Sequence, residues 1–117
     1  GEVFFRNQEA LVLDKVLSDS TIEIVACGGG ASCAEGAGAL LAGAGLVVHL
    51  DPPFEVLIPR LLSNPNRPLL MRSGAMLTEL EIKAHWEGRK SCYAFAHERL
   101  VHPASHRDIQ RWKALFD

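Results

Sequence analysis

Hydrophobic residues recur along this chain with two different periods, and these periods predict the order of its helices and strands. A spacing of three to four residues, which is typical of helices with one buried face, occurs at about residues 7–17, 77–88 and 105–116. Short β-branched or continuous apolar runs predict strands at 21–27, 46–50 and 98–102. Because strands alternate with helices, we expect an α/β fold built on a mainly parallel sheet.

Three further segments lack a clear period and are assigned from their glycine and proline residues. The Ala/Gly-rich segment 33–45 predicts a short helix that ends at Gly43 or Gly45. The segment 52–62 predicts a helix that begins beside its prolines and is kinked at Pro59. The polar stretch that follows is longer than an ordinary connection, so we expect a lid or a disordered segment at about 64–77.

The length and the charge of the chain exclude several classes of protein. With 117 residues, of which 48% are apolar, it fits a single domain over residues 1–117. A formal net charge of −2 gives no reason to expect a nucleic acid or a membrane as partner. No apolar run reaches the roughly 18 residues that a membrane span needs, and the first residues do not resemble a signal peptide. We therefore expect a monomer in the cytoplasm.

The cysteines and histidines do not form a recognisable metal site. Cys27, Cys33 and Cys92 have no CxxC spacing, and a site using the first two would lack a second pair of ligands. The five histidines are scattered, without an HxxxH pair on one helix face. We therefore predict no metal ligands in this chain and three free thiols, as in a reducing compartment.

A run of three glycines, Gly28, Gly29 and Gly30, follows the first predicted strand. In a parallel sheet, ligands bind beyond the carboxyl ends of the strands, and glycine lets a ligand approach the backbone closely. By itself the run is equally consistent with a flexible turn. It is not a phosphate-binding P-loop, because no Lys-Ser or Lys-Thr pair follows at the required spacing.

Three arginines add a pattern to these glycines. Arg6 lies in "GEVFFRNQE", Arg67 in "RPLL" and Arg89 in "RKSCY", and taken alone each would be a surface charge. Together with the glycines and with "VVHLD" at 47–51, these motifs occur in the order found in shikimate kinases. Over nearly its whole length, the chain therefore resembles the shikimate kinase family.

The resemblance implies a fold, a reaction and a substrate site. The fold would be a three-layer α/β/α sandwich of the P-loop kinase type, and the reaction would transfer the ATP γ-phosphoryl group to the 3-hydroxyl of shikimate. In that family, residues matching Arg6 and Arg89 clamp the shikimate carboxylate, which suits the bidentate geometry of a guanidinium group. Residues matching Gly28, Gly29 and Gly30 hold the ring through the backbone. Glu9 matches a glutamate that orients the arginines.

The resemblance also assigns the nucleotide side of the site. Arg67 matches a lid arginine that closes over ATP and stabilises the transferring phosphoryl group. A further family arginine, which stacks on adenine, has no direct match here, so either Arg60 substitutes for it or the contact is lost. The protein would use ATP with Mg²⁺, although the usual protein ligands of Mg²⁺ do not occur in this sequence.

One part of the family pattern does not occur in this chain. No GxxxxGK[ST] motif is present, so the strand, P-loop and helix with which the family's fold begins are absent, as is an aspartate that binds shikimate hydroxyls. Without that strand, unpaired backbone groups would cost about 1–3 kcal/mol each, against a domain stability of roughly 5–15 kcal/mol. Since the first residue is also not Met, we expect a further N-terminal segment; a rearranged or partner-completed sheet is the alternative.

Two other functions are open at this point. A non-catalytic relative could keep the shikimate clamp as a binding or regulatory module without ATP chemistry. Alternatively, a kinase of the same fold could act on another small acid, because paired arginines favour a substrate that carries a carboxylate.

Overall fold

The computed structural model describes residues 1–63, 71–72 and 75–115. Within them, five α-helices, α1 to α5, occupy Glu2–Leu17, Ala37–Ala44, Phe54–Leu62, Glu79–Arg89 and His106–Ala114. Two 3₁₀ helices, η1 and η2, occupy Ala31–Cys33 and Lys90–Tyr93. Four short strands, β1 to β4, occupy Val48–Leu50, Met71–Arg72, Ala75–Met76 and Glu98–Leu100.

Strands β1 and β4 form a parallel pair, which confirms the second and third predicted strands. His49 lies opposite Arg99 in this ladder. The pairing continues past the strand ends, since the Asp51 N–H donates to the Leu100 carbonyl over 2.8 Å. The Asp51 carboxylate, which is largely buried, also forms an ion pair of 2.6 Å with Arg99. Helices together with a small parallel sheet agree with the α/β class that the sequence predicts.

The first predicted strand, 21–27, is wrong, because residues 22–28 have no regular secondary structure. The side chains of this segment are exposed, and Ile24 is 89% exposed. A β-branched run becomes a strand only where a neighbouring strand exchanges backbone hydrogen bonds with it. No segment among the described residues pairs with this one, so its composition alone does not make it a strand.

The helix boundaries agree with the predicted ones in some places and differ in others. Helix α1 begins at Glu2, earlier than the apolar spacing predicts. Helix α2 ends at Ala44 with Gly45 as its C-cap residue, and α3 continues through Pro59, so that the proline does not end it. Helix α5 is capped by Ser105, whose hydroxyl accepts a hydrogen bond of 3.2 Å from the Asp108 N–H.

An apolar cluster lies between α3 and α4. Three buried side chains and three half-buried ones form it: Phe54, Ile58 and Ile82 with Leu61, Leu77 and Trp86. The rings of Phe54 and Trp86 lie 5.1 Å apart. Full burial of a side chain of this size contributes about 1.5–3 kcal/mol, so the cluster fixes α3 against α4.

Helix α1 is much less buried than this cluster. Leu13 is its one buried residue, whereas Val3 and Phe4 are 77% and 67% exposed. In the part of the chain that the structure describes, no helix is both long enough and apolar enough to cross a bilayer.

The predicted lid at 64–77 lies largely outside the described residues. Its described part contains β2 and β3, which form an antiparallel pair with Met71 opposite Met76. Closure of this segment over a ligand therefore stays a prediction.

Candidate functional site

Two of the predicted site residues, Arg6 and Glu9, lie one turn apart on α1. Arg6 Nη1 donates to Glu9 Oε1 over 2.6 Å, and Arg6 Nε lies 3.9 Å from Glu2 Oε1. The Arg6 and Glu9 side chains are only 24% and 19% exposed. Because both are partly withdrawn from water, the carboxylate holds the guanidinium group in one orientation.

Residues 28–30, the glycine loop, lie directly against these two side chains. A Cβ atom built on Gly30 would lie 2.5 Å from the Arg6 guanidinium, and one built on Gly28 would lie 3.2 Å from Glu9 Oε2. Cβ atoms essentially never approach another heavy atom within 3.0 Å, so a larger residue at position 30 would displace Arg6. The missing side chains thus let the loop backbone contact α1.

The middle glycine of the loop, Gly29, contacts a second group of side chains. A Cβ atom built on it would lie 3.1 Å from Arg89 Nη1 and 3.4 Å from Tyr93 Oη. Arg89 is the last residue of α4, and Tyr93 ends η2, which follows directly. The Tyr93 hydroxyl donates a hydrogen bond to the Gly29 carbonyl. The structure therefore brings together six predicted site residues: Arg6, Glu9, Gly28, Gly29, Gly30 and Arg89.

Tyr93 is the member of this cluster for which the sequence predicts no role. It enters the sequence analysis only as the last letter of the RxxxY motif. Its spacing from Arg89 was an available signal, because residues four apart in a helical turn face the same side. The Tyr93 ring also lies 4.5 Å from the His49 ring, which connects the cluster to β1.

A disulfide joins the two 3₁₀ helices beside the glycine loop. Cys33 in η1 and Cys92 in η2 are 59 residues apart in sequence, and their Cα atoms lie 4.9 Å apart. The prediction of three free thiols is therefore wrong for these two, because the fold creates a proximity that sequence spacing does not reveal. Cys27 is free and exposed, and partial desolvation, followed by the Glu9 carboxylate, raises the pKa of its thiol.

The cluster suits a small anion. Arg6 pairs with the carboxylates of Glu9 and, more distantly, Glu2, whereas no carboxylate pairs with Arg89 among the described residues. The Arg89 guanidinium beside the glycine loop is therefore the positive charge that an anion could neutralise. Burial, and then the charge of Arg89, lowers the pKa of the neighbouring His85, which favours its neutral form. Forked N–H donors next to accessible peptide groups can bind a carboxylate together with nearby hydroxyl groups.

The nucleotide side of the predicted site is not assembled by the described residues. Arg60 lies in the last turn of α3 with its side chain exposed, and Arg67 falls outside the described ranges. Within those ranges, no three His, Cys, Asp or Glu side chains form a group that could hold a metal ion. The described residues therefore do not fit a Mg²⁺ site.

Comparison with known proteins identifies the family. A family model described as shikimate kinase matches residues 1–114. The chain belongs to the shikimate kinase family. It is 38% identical to a shikimate kinase of Synechococcus elongatus over 105 residues, which are 90% of this chain and 53% of that protein. No solved structure matches the chain.

Two further shikimate kinases show a similar likeness. That of Aquifex aeolicus is 36% identical over 82% of this chain and 54% of its own length. That of Persephonella marina is 31% identical over 86% of this chain and 57% of its own length. The chain thus spans about half the length of the curated relatives that it matches. Membership of the shikimate kinase family also confirms the P-loop kinase type of the α/β fold.

Proposed function

We propose that this chain forms the shikimate-binding part of a kinase that transfers the ATP γ-phosphoryl group to the 3-hydroxyl of shikimate. The observation that carries the proposal is the glycine loop, whose backbone is contacted by both Arg6 and Arg89. Membership of the shikimate kinase family points to the substrate. The complete protein would act in the shikimate pathway of aromatic amino-acid biosynthesis.

The two arginines would bind the carboxylate of shikimate. A guanidinium group donates two parallel N–H bonds to a planar carboxylate, and hydrogen bonds to charged groups contribute about 1.5–3 kcal/mol each. Glu9 would reduce the cost of binding, because Arg6 is already ordered before the substrate arrives. Peptide groups of the glycine loop would contact the ring hydroxyls. Together these contacts would orient the 3-hydroxyl for phosphoryl transfer.

We assign the phosphoryl-transfer side to the predicted lid at 64–77. Arg67 would stabilise the charge that spreads over the transferring phosphoryl group, and Arg60 would contact the adenine of ATP. Lid closure would exclude water and so limit ATP hydrolysis. ATP and Mg²⁺ are the co-substrate and the ion that we propose for the complete protein.

We further propose a cytoplasmic monomer in which residues 1–117 belong to one domain. Its partner would be a small molecule rather than a nucleic acid or a membrane, which agrees with the net charge of −2. One observation weighs against a reducing compartment, namely the disulfide between Cys33 and Cys92.

Alanine substitution of Arg89 in the full-length protein tests the proposed function. Loss of charge-assisted hydrogen bonds should raise the shikimate KM about 10- to 100-fold and leave the ATP KM unchanged. The matched control is Arg107→Ala, which removes an exposed arginine from α5 and should change neither KM.

Three results would contradict parts of this proposal. An Arg89→Ala enzyme with the wild-type KM for shikimate would refute the clamp. Full-length protein that binds shikimate in calorimetry but shows no ATP turnover would be a non-catalytic binding module. Faster turnover of a different small carboxylic acid would replace shikimate as the substrate.

A further inference from the structure

We propose that Tyr93 is a positioning residue of this site, which fixes the orientation of the peptide group between Gly29 and Gly30 beside Arg89. The inference rests on the proposed function, because it takes the glycine loop and Arg89 to be the surface that binds the substrate. Neither the family resemblance nor the RxxxY motif gives this side chain a role.

Tyr93 and Arg89 contact the same glycine, Gly29, from the end of α4 and the 3₁₀ helix that directly follows it. The Tyr93 hydroxyl donates to the Gly29 carbonyl, and Arg89 Nη1 lies 3.1 Å from the position that a Gly29 Cβ atom would occupy. The tyrosine follows Arg89 by four residues, with one turn of helix between them. A shift of the loop would therefore change both contacts together.

The hydrogen bond from Tyr93 also determines the direction of a neighbouring donor. A peptide group is planar and trans, so the Gly29 carbonyl and the Gly30 N–H point in opposite directions. While Tyr93 binds the carbonyl, the Gly30 N–H points away from Tyr93, and no acceptor pairs with it among the described residues. This N–H is thus an unpaired donor of set direction. Because Gly30 is buried against the Arg6 guanidinium, a ligand hydroxyl could reach the N–H only beside Arg6.

A run of three glycines needs such an anchor from outside the loop. The Ala31 N–H donates to the Gly28 carbonyl over 3.1 Å and closes the loop into a turn, but glycine at both central positions allows the peptide between them to face either way. The structure attaches the loop from outside at two neighbouring points. Cys92 is bonded to Cys33 in η1, which directly follows the loop, and the adjacent Tyr93 binds the loop itself.

The Tyr93 side chain is itself held in place. Its ring lies 4.5 Å from the ring of His49 on β1, and the residue is half-buried. An anchored aromatic ring with its hydroxyl on a backbone carbonyl loses little conformational freedom when the substrate binds. The hydroxyl, rather than the ring, therefore carries the positioning role.

The test is Tyr93→Phe in the full-length protein, since this change removes the hydroxyl and keeps the ring. Loss of one hydrogen bond that orders the loop should raise the shikimate KM about three- to tenfold. The kcat and the ATP KM should stay at their wild-type values, because the nucleotide side is not touched. Ser91→Ala, which removes an exposed hydroxyl from the same 3₁₀ helix, is the matched control and should leave all three parameters unchanged.

Parallel measurement of Arg89→Ala separates the two ways in which the inference can fail. If Arg89→Ala raises the shikimate KM and Tyr93→Phe does not, the positioning role is wrong and the proposed function stands. If neither variant raises it, the proposed function is wrong as well. A tyrosine with a purely structural role would lower the melting temperature of Tyr93→Phe without a selective change in the shikimate KM, and that result also overturns the inference.

A second variant keeps the inference testable if Tyr93→Phe does not fold. Gly29→Ala keeps the hydroxyl but places a methyl group 3.4 Å from Tyr93 Oη and 3.1 Å from Arg89 Nη1. The contact with Tyr93 is an ordinary one, but the short distance to Arg89 requires the loop or the Arg89 guanidinium to shift by a few tenths of an ångström. Either shift changes the position of Arg89 relative to the Gly29 peptide, so the shikimate KM should rise again. A wild-type KM in Gly29→Ala would overturn the positioning role.

Discussion

The apolar cluster between α3 and α4 and the polar cluster around the glycine loop are built in opposite ways. In the first, Phe54, Ile58 and Ile82 are only 3–8% exposed and contact one another through carbon atoms. In the second, an ion pair, a hydrogen bond and a disulfide surround residues that have no side chain. Apolar burial depends on area and has no preferred direction, whereas polar contacts require particular distances and angles.

This difference separates the residues that stabilise the fold from those that set the geometry of the site. Substitutions in the apolar cluster should lower the free energy of unfolding and leave the substrate KM alone. Substitutions in the glycine loop should raise the substrate KM and change the free energy of unfolding little, because the loop contacts polar side chains and buries little apolar surface. The outcomes expected for Ile82→Ala and Gly30→Ala depend on this separation of the two regions.

The largest effect is expected for Ile82→Ala. Ile82 is the most buried of the cluster residues, at 3% exposure, and removing its side chain should lower the free energy of unfolding by about 2–5 kcal/mol. Urea denaturation measures the change. Leu80→Ala on the same helix, where the side chain is 79% exposed, is the matched control and should have little effect. Equal losses in both variants would show that α4 is not fixed by this cluster.

A smaller effect is expected for Gly30→Ala, and it concerns the shikimate KM rather than the free energy of unfolding. The new methyl group would lie 2.5 Å from the Arg6 guanidinium, so Arg6 must move and the shikimate KM should rise about 10- to 100-fold. Steady-state kinetics of the full-length protein measures this. The control is Gly43→Ala in α2, where a Cβ atom meets nothing within 4 Å. A Gly30→Ala enzyme with unchanged KM would place Arg6 outside the site.

The smallest effect concerns the pH dependence of stability. Burial lowers the pKa of both His49 and His85, and the charge of Arg89 lowers that of His85 further. A histidine in the unfolded chain has a pKa of about 6.5. As the pH falls below this value, the unfolded chain therefore takes up protons before the folded protein does. The free energy of unfolding should be highest above that pH and should decline from it toward the lowered pKa values.

Denaturation curves between pH 7.5 and 5, a range of about one unit or more on each side of the unfolded pKa, would measure this decline. His85→Gln should flatten it, because the substituted residue no longer titrates. His106→Gln, which changes an exposed histidine at the start of α5, is the comparison and should keep the decline. An unchanged slope in His85→Gln would mean that α4 does not contribute to it.

The fold could be predicted from the sequence where a local signal decides the outcome. Ser105 caps α5 because its hydroxyl bonds a backbone N–H three residues away, a pattern that is visible in the sequence. The continuous apolar run around Val48 predicted a parallel strand, which β1 confirms, although the residues of β1 are half-buried or exposed. The segment at 21–27 has equally suitable residues, but its state depends on a neighbouring strand, and no local pattern reveals whether one is present.

The candidate site also contains residues that local motifs reveal and contacts that depend on distant parts of the chain. Arg6, Glu9 and the glycines could be named from the sequence because they form motifs, and the structure brings them within contact distance. The hydrogen bond of Tyr93 to the loop could not be predicted from the sequence, since it joins residues 64 positions apart. The Cys33–Cys92 disulfide was missed for the same reason. The role of Arg67 stays a prediction, because that residue falls outside the described ranges.

The disulfide between Cys33 and Cys92 makes the intervening chain part of a closed covalent ring. A protease that cuts the backbone once within the predicted lid opens this ring without dividing the molecule. The N-terminal fragment with Arg6 and the C-terminal fragment with Arg89 would migrate as one species until a reductant is added, and then as two. Both arginines of the proposed clamp therefore stay on one molecule even when the backbone between them is broken.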